Sequence, residues 1–317
     1  MKRYVIGIDL GGTKISGDIA DFEGNVLKNI VIPTNTFEGD IAVADRIVKV
    51  INDLMKETNK NKDEIESIGI GSPGPLDTKK GIIITTPNLP FKNFRIVDYI
   101  KDRFGIDTYI DNDANVATLG EHMYGAGKGT QNMVYVTVST GIGGGAILNG
   151  KIYRGNTGNA LEIGHTTLLS DGPKCNCGNN GCAEALASGT AIARIANEEI
   201  KKGRKTSLTN YKKVTSYEVF QEAKKGDKLA KSVLDKCLDY LGITVANAVA
   251  TFDPEMVVIG GGVSKGGQIV FDTVRKVVDK RCFKVMADNC TIVPAGLGSD
   301  AGVMGAVALA IVESKEK

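Results

Sequence analysis

Apolar and polar positions follow two rhythms along this chain, and the order of the rhythms is repeated. Tyr4-Val5-Ile6-Gly7-Ile8-Asp9 is an apolar run of strand length that enters Leu10-Gly11-Gly12-Thr13-Lys14. A second apolar run, Ile15 to Ala20, follows, which predicts two strands joined by a glycine-rich turn. Asn25-Val26-Leu27 leads on into Ile30-Val31-Ile32, a third strand. Val43, Ile47, Val50, Ile51, Leu54 and Met55 then recur at spacings of three and four, the signature of an amphipathic helix. Ser67-Ile68-Gly69-Ile70-Gly71 reads as a short buried strand, stopped by Ser72-Pro73-Gly74-Pro75. A short helix over 98–104, a strand over 108–110 ending at Asp111-Asn112-Asp113, and a helix from Ala114 to about Tyr124 complete the first half.

The second half begins the same way. Met133-Val134-Tyr135-Val136-Thr137-Val138 runs into Ser139-Thr140-Gly141-Ile142-Gly143-Gly144-Gly145 and then Ala146-Ile147-Leu148. After a cysteine-bearing segment, helices are expected over 185–202, 216–225 and 227–252, the last ending before Asp253-Pro254. Met256-Val257-Val258-Ile259 is a strand entering Gly260-Gly261-Gly262, followed by a helix over 267–281, a strand over 290–293 and a last helix over 301–312. Three antiparallel strands and then alternating helix and strand, done twice, imply two α/β domains with mixed sheets and a ligand cleft between them. The expected boundary is near residue 113, with the last helix packing back: a small domain of 1–113 plus 302–317, and a large one of 114–301 carrying the cysteines.

Composition narrows the classes. The 317 residues suffice for two domains, and 42% hydrophobic content is ample for packed cores. A net charge of +2 gives no nucleic-acid surface. No apolar run approaches membrane-spanning length, and the N-terminus enters a strand without a signal-peptide pattern, so the expected location is the cytoplasm. Of the six cysteines, Cys175, Cys177 and Cys182 crowd one polar segment while Cys237, Cys282 and Cys290 are scattered. One metal cluster and three free thiols in a reducing compartment fit this placement better than disulfides.

The twin turns let backbone N–H groups converge on an anion, and each has a Thr beside its glycines. Together they point to a phosphate chain held by two similar halves, as in a phosphotransferase. Asp9, at the end of a strand and just before Gly11-Gly12-Thr13, is placed to hold a water on Mg²⁺, although an Asp in a hairpin turn is equally ordinary. Phosphoryl transfer to a hydroxyl needs a proton acceptor, which Asp113 can provide. Capping the helix that begins at Ala114 is its more ordinary use. His165 precedes Cys175-Asn176-Cys177-Gly178-Asn179-Asn180-Gly181-Cys182. Three thiolates and an imidazole make a closed tetrahedral zinc set, so the metal's role would be structural. Glu162 and Glu184 flank this set, where a metal would fix two carboxylates suited to vicinal sugar hydroxyls; singly, each reads as a surface Glu. Gly260-Gly261-Gly262 and Gly296-Leu297-Gly298 let an adenosine lie against backbone, or serve tight strand-to-helix packing.

Together these residues resemble the ROK family (repressors, open reading frames and sugar kinases), in particular its bacterial glucokinase-like members, over essentially the whole chain. The most specific part is Glu162-Ile163-Gly164-His165 with Cys175 through Glu184 and Ser188-Gly189. Asp9 to Thr13, Asn112-Asp113-Ala114-Asn115 and Ser139 to Gly145 follow in the family's order. The resemblance implies an actin-like, ribonuclease-H-like duplicated ATPase fold and ATP-dependent phosphorylation of glucose at its 6-hydroxyl, with Asp113 as the base. It implies that Asp9, Gly11, Gly12, Thr13, Thr140 and Gly141 hold ATP phosphates and Mg²⁺, with Gly261 and Gly262 near the adenosine. Gly74, Asn88, Asn112, Asp113, Glu162, His165 and Glu184 would contact the sugar, and His165, Cys175, Cys177 and Cys182 would bind zinc. His165 would present its second ring nitrogen to a sugar hydroxyl or a carboxylate. Hexose and ATP are the implied partners, and a homodimer the implied assembly. Leu161 departs from the pattern, since the family commonly has Gly before the Glu. The alternatives are a kinase for N-acetylmannosamine, N-acetylglucosamine or fructose, and a sugar-responsive transcriptional regulator. The regulator is disfavoured because no basic N-terminal helices precede the first strand.

Overall fold

The computed structural model of the chain describes residues 3–86 and 88–315, so the ends of the expected small domain, at 1–2 and 316–317, lie outside the described residues. β1 (Tyr4–Leu10), β2 (Lys14–Asp21) and β3 (Val26–Pro33) form the expected antiparallel start. α1 (Asp40–Glu57) and β4 (Ile65–Ser72) follow. β5 (Leu76–Asp77), β6 (Ile82–Thr85) and β7 (Lys92–Phe94) make a small antiparallel sheet that the sequence rhythm did not predict. Then come α2 (Ile96–Phe104), β8 (Asp107–Asn112) and α3 (Asp113–Met123). The main sheet has the order β3-β2-β1-β4-β8, with β4 parallel to both of its neighbours.

The second series opens with β9 (Met133–Val138), β10 (Ile142–Leu148) and β11 (Lys151–Ile152). α4 (Ala183–Ala187), α5 (Gly189–Lys201), α6 (Ser216–Lys224) and α7 (Lys228–Phe252) follow. The chain ends with β12 (Met256–Gly260), α8 (Gln268–Arg281), α9 (Lys284–Asn289), β13 (Thr291–Pro294) and α10 (Ala301–Lys315). Its sheet has the order β11-β10-β9-β12-β13, with β12 parallel to both neighbours. The two sheets therefore share one topology, the duplication that the repeated turns announced. The single helix expected over 185–202 is two helices, because Ser188 turns extended and caps α5, accepting the Ala191 N–H at 3.1 Å. Among the described residues no helix is long and apolar enough to cross a membrane.

The chain divides into two compact units. One is Met1–Gly129 with Gly145–Ala160 and Gly296–Lys317; the other is Thr130–Gly144 with Leu161–Ala295. These bounds differ from the expected 1–113 plus 302–317 and 114–301, chiefly because α3 belongs to the first unit, where it packs on α10. Helical spacing explains the inner face of α1: Val43, Ala44, Ile47, Val50, Ile51 and Leu54 are buried against Ile6, Ile8, Ile15 and Ile19 of the sheet. The alternate strand positions Val5 and Ala20 meet Val307, Ala310 and Ile311 of α10 on the other face. In the second unit α7 is buried along much of its length; Asp227 caps it, accepting the Ala230 N–H at 2.8 Å, and it stops at Asp253 with φ 45.

α10 is apolar all round because it has protein on every side, its residues from Val303 to Ile311 being buried. Small residues let it lie directly on backbone. A Cβ added at Gly69 would sit 2.1 Å from the Ala306 carbonyl oxygen, and one at Gly305 would sit 1.9 Å from that of Val116 on α3. Neither neighbour is a flexible side-chain end, so strain has nowhere to go. Gly69→Ala is therefore expected to lower the unfolding free energy by about 2–3 kcal/mol, read as a shifted urea midpoint; an unchanged midpoint would contradict this packing.

Candidate functional site

In the first unit the glycine-rich turn between β1 and β2 is braced from behind. Gly11 N–H donates to the Lys14 carbonyl at 3.0 Å, and the Gly11 carbonyl accepts the Thr34 hydroxyl at 2.6 Å. That leaves Gly12 and Thr13 facing a recess of about 620 Å³, which Thr36 and Asn88 also line. Asn88 lies against the turn, since a Cβ on Gly12 would come within 2.9 Å of the Asn88 carbonyl oxygen. Gly74 follows β4 and lies beside Asn112, whose side-chain nitrogen would be 3.3 Å from a Cβ there.

Asn112, not Asp113, caps α3: its Oδ1 accepts the Ala114 N–H at 2.9 Å. Asp113 is the first helical residue and is exposed over part of its surface, and its Oδ1 accepts the same N–H at 2.8 Å. Protein packed around it raises the Asp113 carboxyl above its usual range, and the amides of its own turn oppose that rise. Asp9, at the end of β1, is pushed up to about 6, mainly by burial and then by the charge of Asp113, with Lys14 opposing. Two carboxylates that disfavour each other's charge are a setting for a cation.

Beneath this pair lies a network absent from the sequence reading. Asp111 is fully buried; its Oδ1 accepts from Asn112 N–H at 2.7 Å and from the Asn115 amide at 2.8 Å, and its Oδ2 accepts from Arg154 Nε at 2.6 Å. Arg154 Nη2 continues to Glu313 of α10 at 2.6 Å. Nothing in the local sequence around Arg154 marks it, because its partners lie in distant segments. Glu121 is also fully buried, and it accepts the Ala126, Gly296 and Leu297 N–H groups at 2.8–2.9 Å. The Gly296-Leu297-Gly298 turn thus directs two of its amides to Glu121.

In the second unit His165, Cys175, Cys177 and Cys182 converge, with ligand atoms all within 4.8 Å of one another. Cys175 Sγ is 3.7 Å from His165 Nδ1, and Cys177 Sγ is 3.6 Å from Cys182 Sγ. A tetrahedral zinc would set such edges at about 3.6 Å for sulfur–nitrogen and about 3.8 Å for sulfur–sulfur, so the donor set fits that ion. Burial, with the adjoining sulfurs, pushes the Cys182 thiol up to about 12, whereas the Asn179 N–H holds Cys177 below its usual value. Glu162 is exposed at the start of the short turn Ile163–His165. Leu161 just before it adopts φ 59, the left-handed region, where a side chain costs about 1–2 kcal/mol that glycine avoids.

Glu184, the second residue of α4, reaches the start of β10, its Oε2 accepting the Ile142 N–H at 3.0 Å. Gly141 packs on that same carboxylate. Thr140 instead lines a pocket of about 610 Å³, with Thr190, Lys213, Phe220, Lys224 and Gly262 among its other walls. Gly261, at φ 85, lies on the Val138 backbone. Thr190, Lys213, Phe220 and Lys224 escaped the sequence reading because they come from helices and a loop read only for their periodicity.

The ROK family profile matches residues 5–313. The chain belongs to the ROK family. The glucokinase of Halalkalibacterium halodurans is 37% identical over 308 residues, 96% of this chain and 93% of that protein. The crystal structure of a ROK hexokinase from Thermus thermophilus matches with a TM-score of 0.87 at 35% identity, covering 99% of this chain and 100% of that one. A ROK glucokinase from Streptomyces griseus, crystallised with glucose and AMPPNP, matches at a TM-score of 0.79 and 30% identity, over 97% and 99% of the two chains. The fold is accordingly the actin-like, duplicated α/β fold of the ROK kinases.

Because Asp9 binds its proton more tightly folded than unfolded, the site favours the ligand-free fold at low pH. That contribution is lost as pH rises through about 6. Asp9→Asn, neutral throughout, is expected to raise the urea stability of the ligand-free protein by about 1–2 kcal/mol at pH 8 and by little at pH 4.5. A loss at pH 8 would show that Asp9 is held by a partner and not by burial.

Proposed function

We propose that this chain is an ATP-dependent glucokinase that transfers the γ-phosphoryl group of ATP to the 6-hydroxyl of glucose. The observation that carries the reading is Asp113: an acidic residue exposed over part of its surface at a helix start, set by a neighbouring cap, with its proton affinity raised. Asp113 accepts the hydroxyl proton as the sugar oxygen bonds to phosphorus and the bond to ADP breaks. A carboxyl shifted toward neutrality is the better acceptor. Gly74, Asn88, Asn112, Glu162, His165 and Glu184 hold the sugar hydroxyls. Gly12 and Thr13, shaped from behind by Gly11, and Thr140 and Gly141 hold the phosphates. Gly262 lines the pocket proposed for the adenosine, with Gly261 next to it on the Val138 backbone. Asp9 would hold Mg²⁺ through water, and the ion would neutralise phosphate charge. His165, Cys175, Cys177 and Cys182 would hold Zn²⁺ as a closed structural centre that fixes the carboxylates beside it. The free thiols Cys237, Cys282 and Cys290 support a reducing compartment, the cytoplasm. A homodimer, the assembly implied by the family likeness, completes the reading.

Asp113→Asn is expected to leave glucose affinity within a few-fold and to lower kcat by about 10²–10⁴. Near-normal turnover would remove Asp113 from this role. A coupled ADP-release assay over glucose, fructose, N-acetylmannosamine and N-acetylglucosamine should give its highest kcat/KM with glucose. Turnover confined to an acetylated amino-sugar would overturn the substrate, and turnover with none would overturn the kinase.

A further inference from the structure

We propose that the cysteine–histidine cluster also sets the turn Ser139–Gly141 and the start of β10, acting through Glu184 and Gly164, so that nucleotide affinity without any sugar depends on Glu184 and on the bound metal. This rests on the kinase reading for what the turn holds; the mechanical link rests on geometry alone. Residues next to the cluster hold the Ile142 N–H and crowd its carbonyl. Its N–H donates to Glu184, two residues after Cys182. Its carbonyl oxygen lies where a Cβ of Gly164, the residue before His165, would sit 2.0 Å away. The preceding residue, Gly141, packs so closely on Glu184 that a Cβ there would be 2.4 Å from Oε2. The turn's first residue is held as well, since Gly189 N–H donates to the Ser139 carbonyl at 2.8 Å. The other Glu184 oxygen lies 3.8 Å from Cys175 Sγ. One carboxylate therefore spans from the metal ligands to the backbone beside Thr140. Ile142 is buried, so its N–H has no ready substitute acceptor in water. Sequence reading gave Glu184 to the sugar; the structure gives the same side chain a positioning role toward the nucleotide turn.

The test compares the zinc-loaded wild type, Glu184→Ala and Glu184→Gln, together with wild type stripped by a chelator and reloaded with Zn²⁺. Hydrogen exchange over 139–145 is read without ligands; calorimetry then reads Mg-AMPPNP affinity without sugar and glucose affinity separately. Glu184→Ala and metal removal are expected to speed that exchange and to weaken AMPPNP by about tenfold or more. Glu184→Gln should recover most of the nucleotide affinity, because its amide oxygen still accepts from Ile142, and reloaded zinc should restore the stripped protein. Wild-type-like AMPPNP affinity in Glu184→Ala, or in stripped protein that circular dichroism shows to be folded, would overturn the proposal. If the loaded wild type bound no AMPPNP, the kinase reading would fall instead, and the exchange would still decide the mechanical link.

Discussion

Backbone resting on backbone around α10 is the contact on which the first unit depends. Gly7 and Gly69 bring the sheet against one side of the helix, and Gly120 and Gly305 bring α3 against another. Backbone atoms dominate these contacts, with the Val307 side chain joining them at Gly7, so they fix position more tightly than a layer of large residues would. The carboxyl end of β1 and the start of α3 are thereby set relative to one helix. The α10 backbone at Gly302 also lies against the Asp9 carboxylate, where helix-end amides favour negative charge while burial and Asp113 disfavour it. The acidic pair is thus held in tension by packing, ready for a counter-charge.

The second unit solves a similar problem with different means. Its Cys and His side chains come from a segment with little regular structure, where Lys174 and Asn180 form an isolated bridge and Cys175 N–H closes on the Asn179 carbonyl. Such a segment has little apolar surface to bury, so a four-ligand centre is the device that can make it rigid. A metal bound there would add to the packing of Ala183, Leu186 and Ala187 in holding Glu184, and to that of Ile163 in holding Glu162 and His165.

Much of this was legible in the residues. The two hairpins declared themselves through apolar runs broken by glycine and threonine, α1 through its spacing of three and four, and the metal set through the density of cysteine in a polar stretch. β5, β6 and β7 were not legible, because strands of two to four residues offer too little alternation. The break at Ser188 hid inside a continuous apolar pattern, where a cap and a mid-helix serine look alike. Asp113 was read as the helix cap because Asn and Asp serve equally there, and only the backbone shows Asn112 in that place. The place of α3 in the first unit depends on its contact with α10, far away in sequence, which no local rhythm encodes.

Arg154 joins the buried Asp111, two residues before Asp113 at the end of β8, to Glu313 in the last helical turn. The last turn of α10 is therefore not a neutral place to alter. A fusion partner or a truncation that disturbs the last turn of α10 bears on the guanidinium that holds Asp111, although Arg154 and Glu313 are 159 residues apart in sequence. An N-terminal handle would spare that linkage.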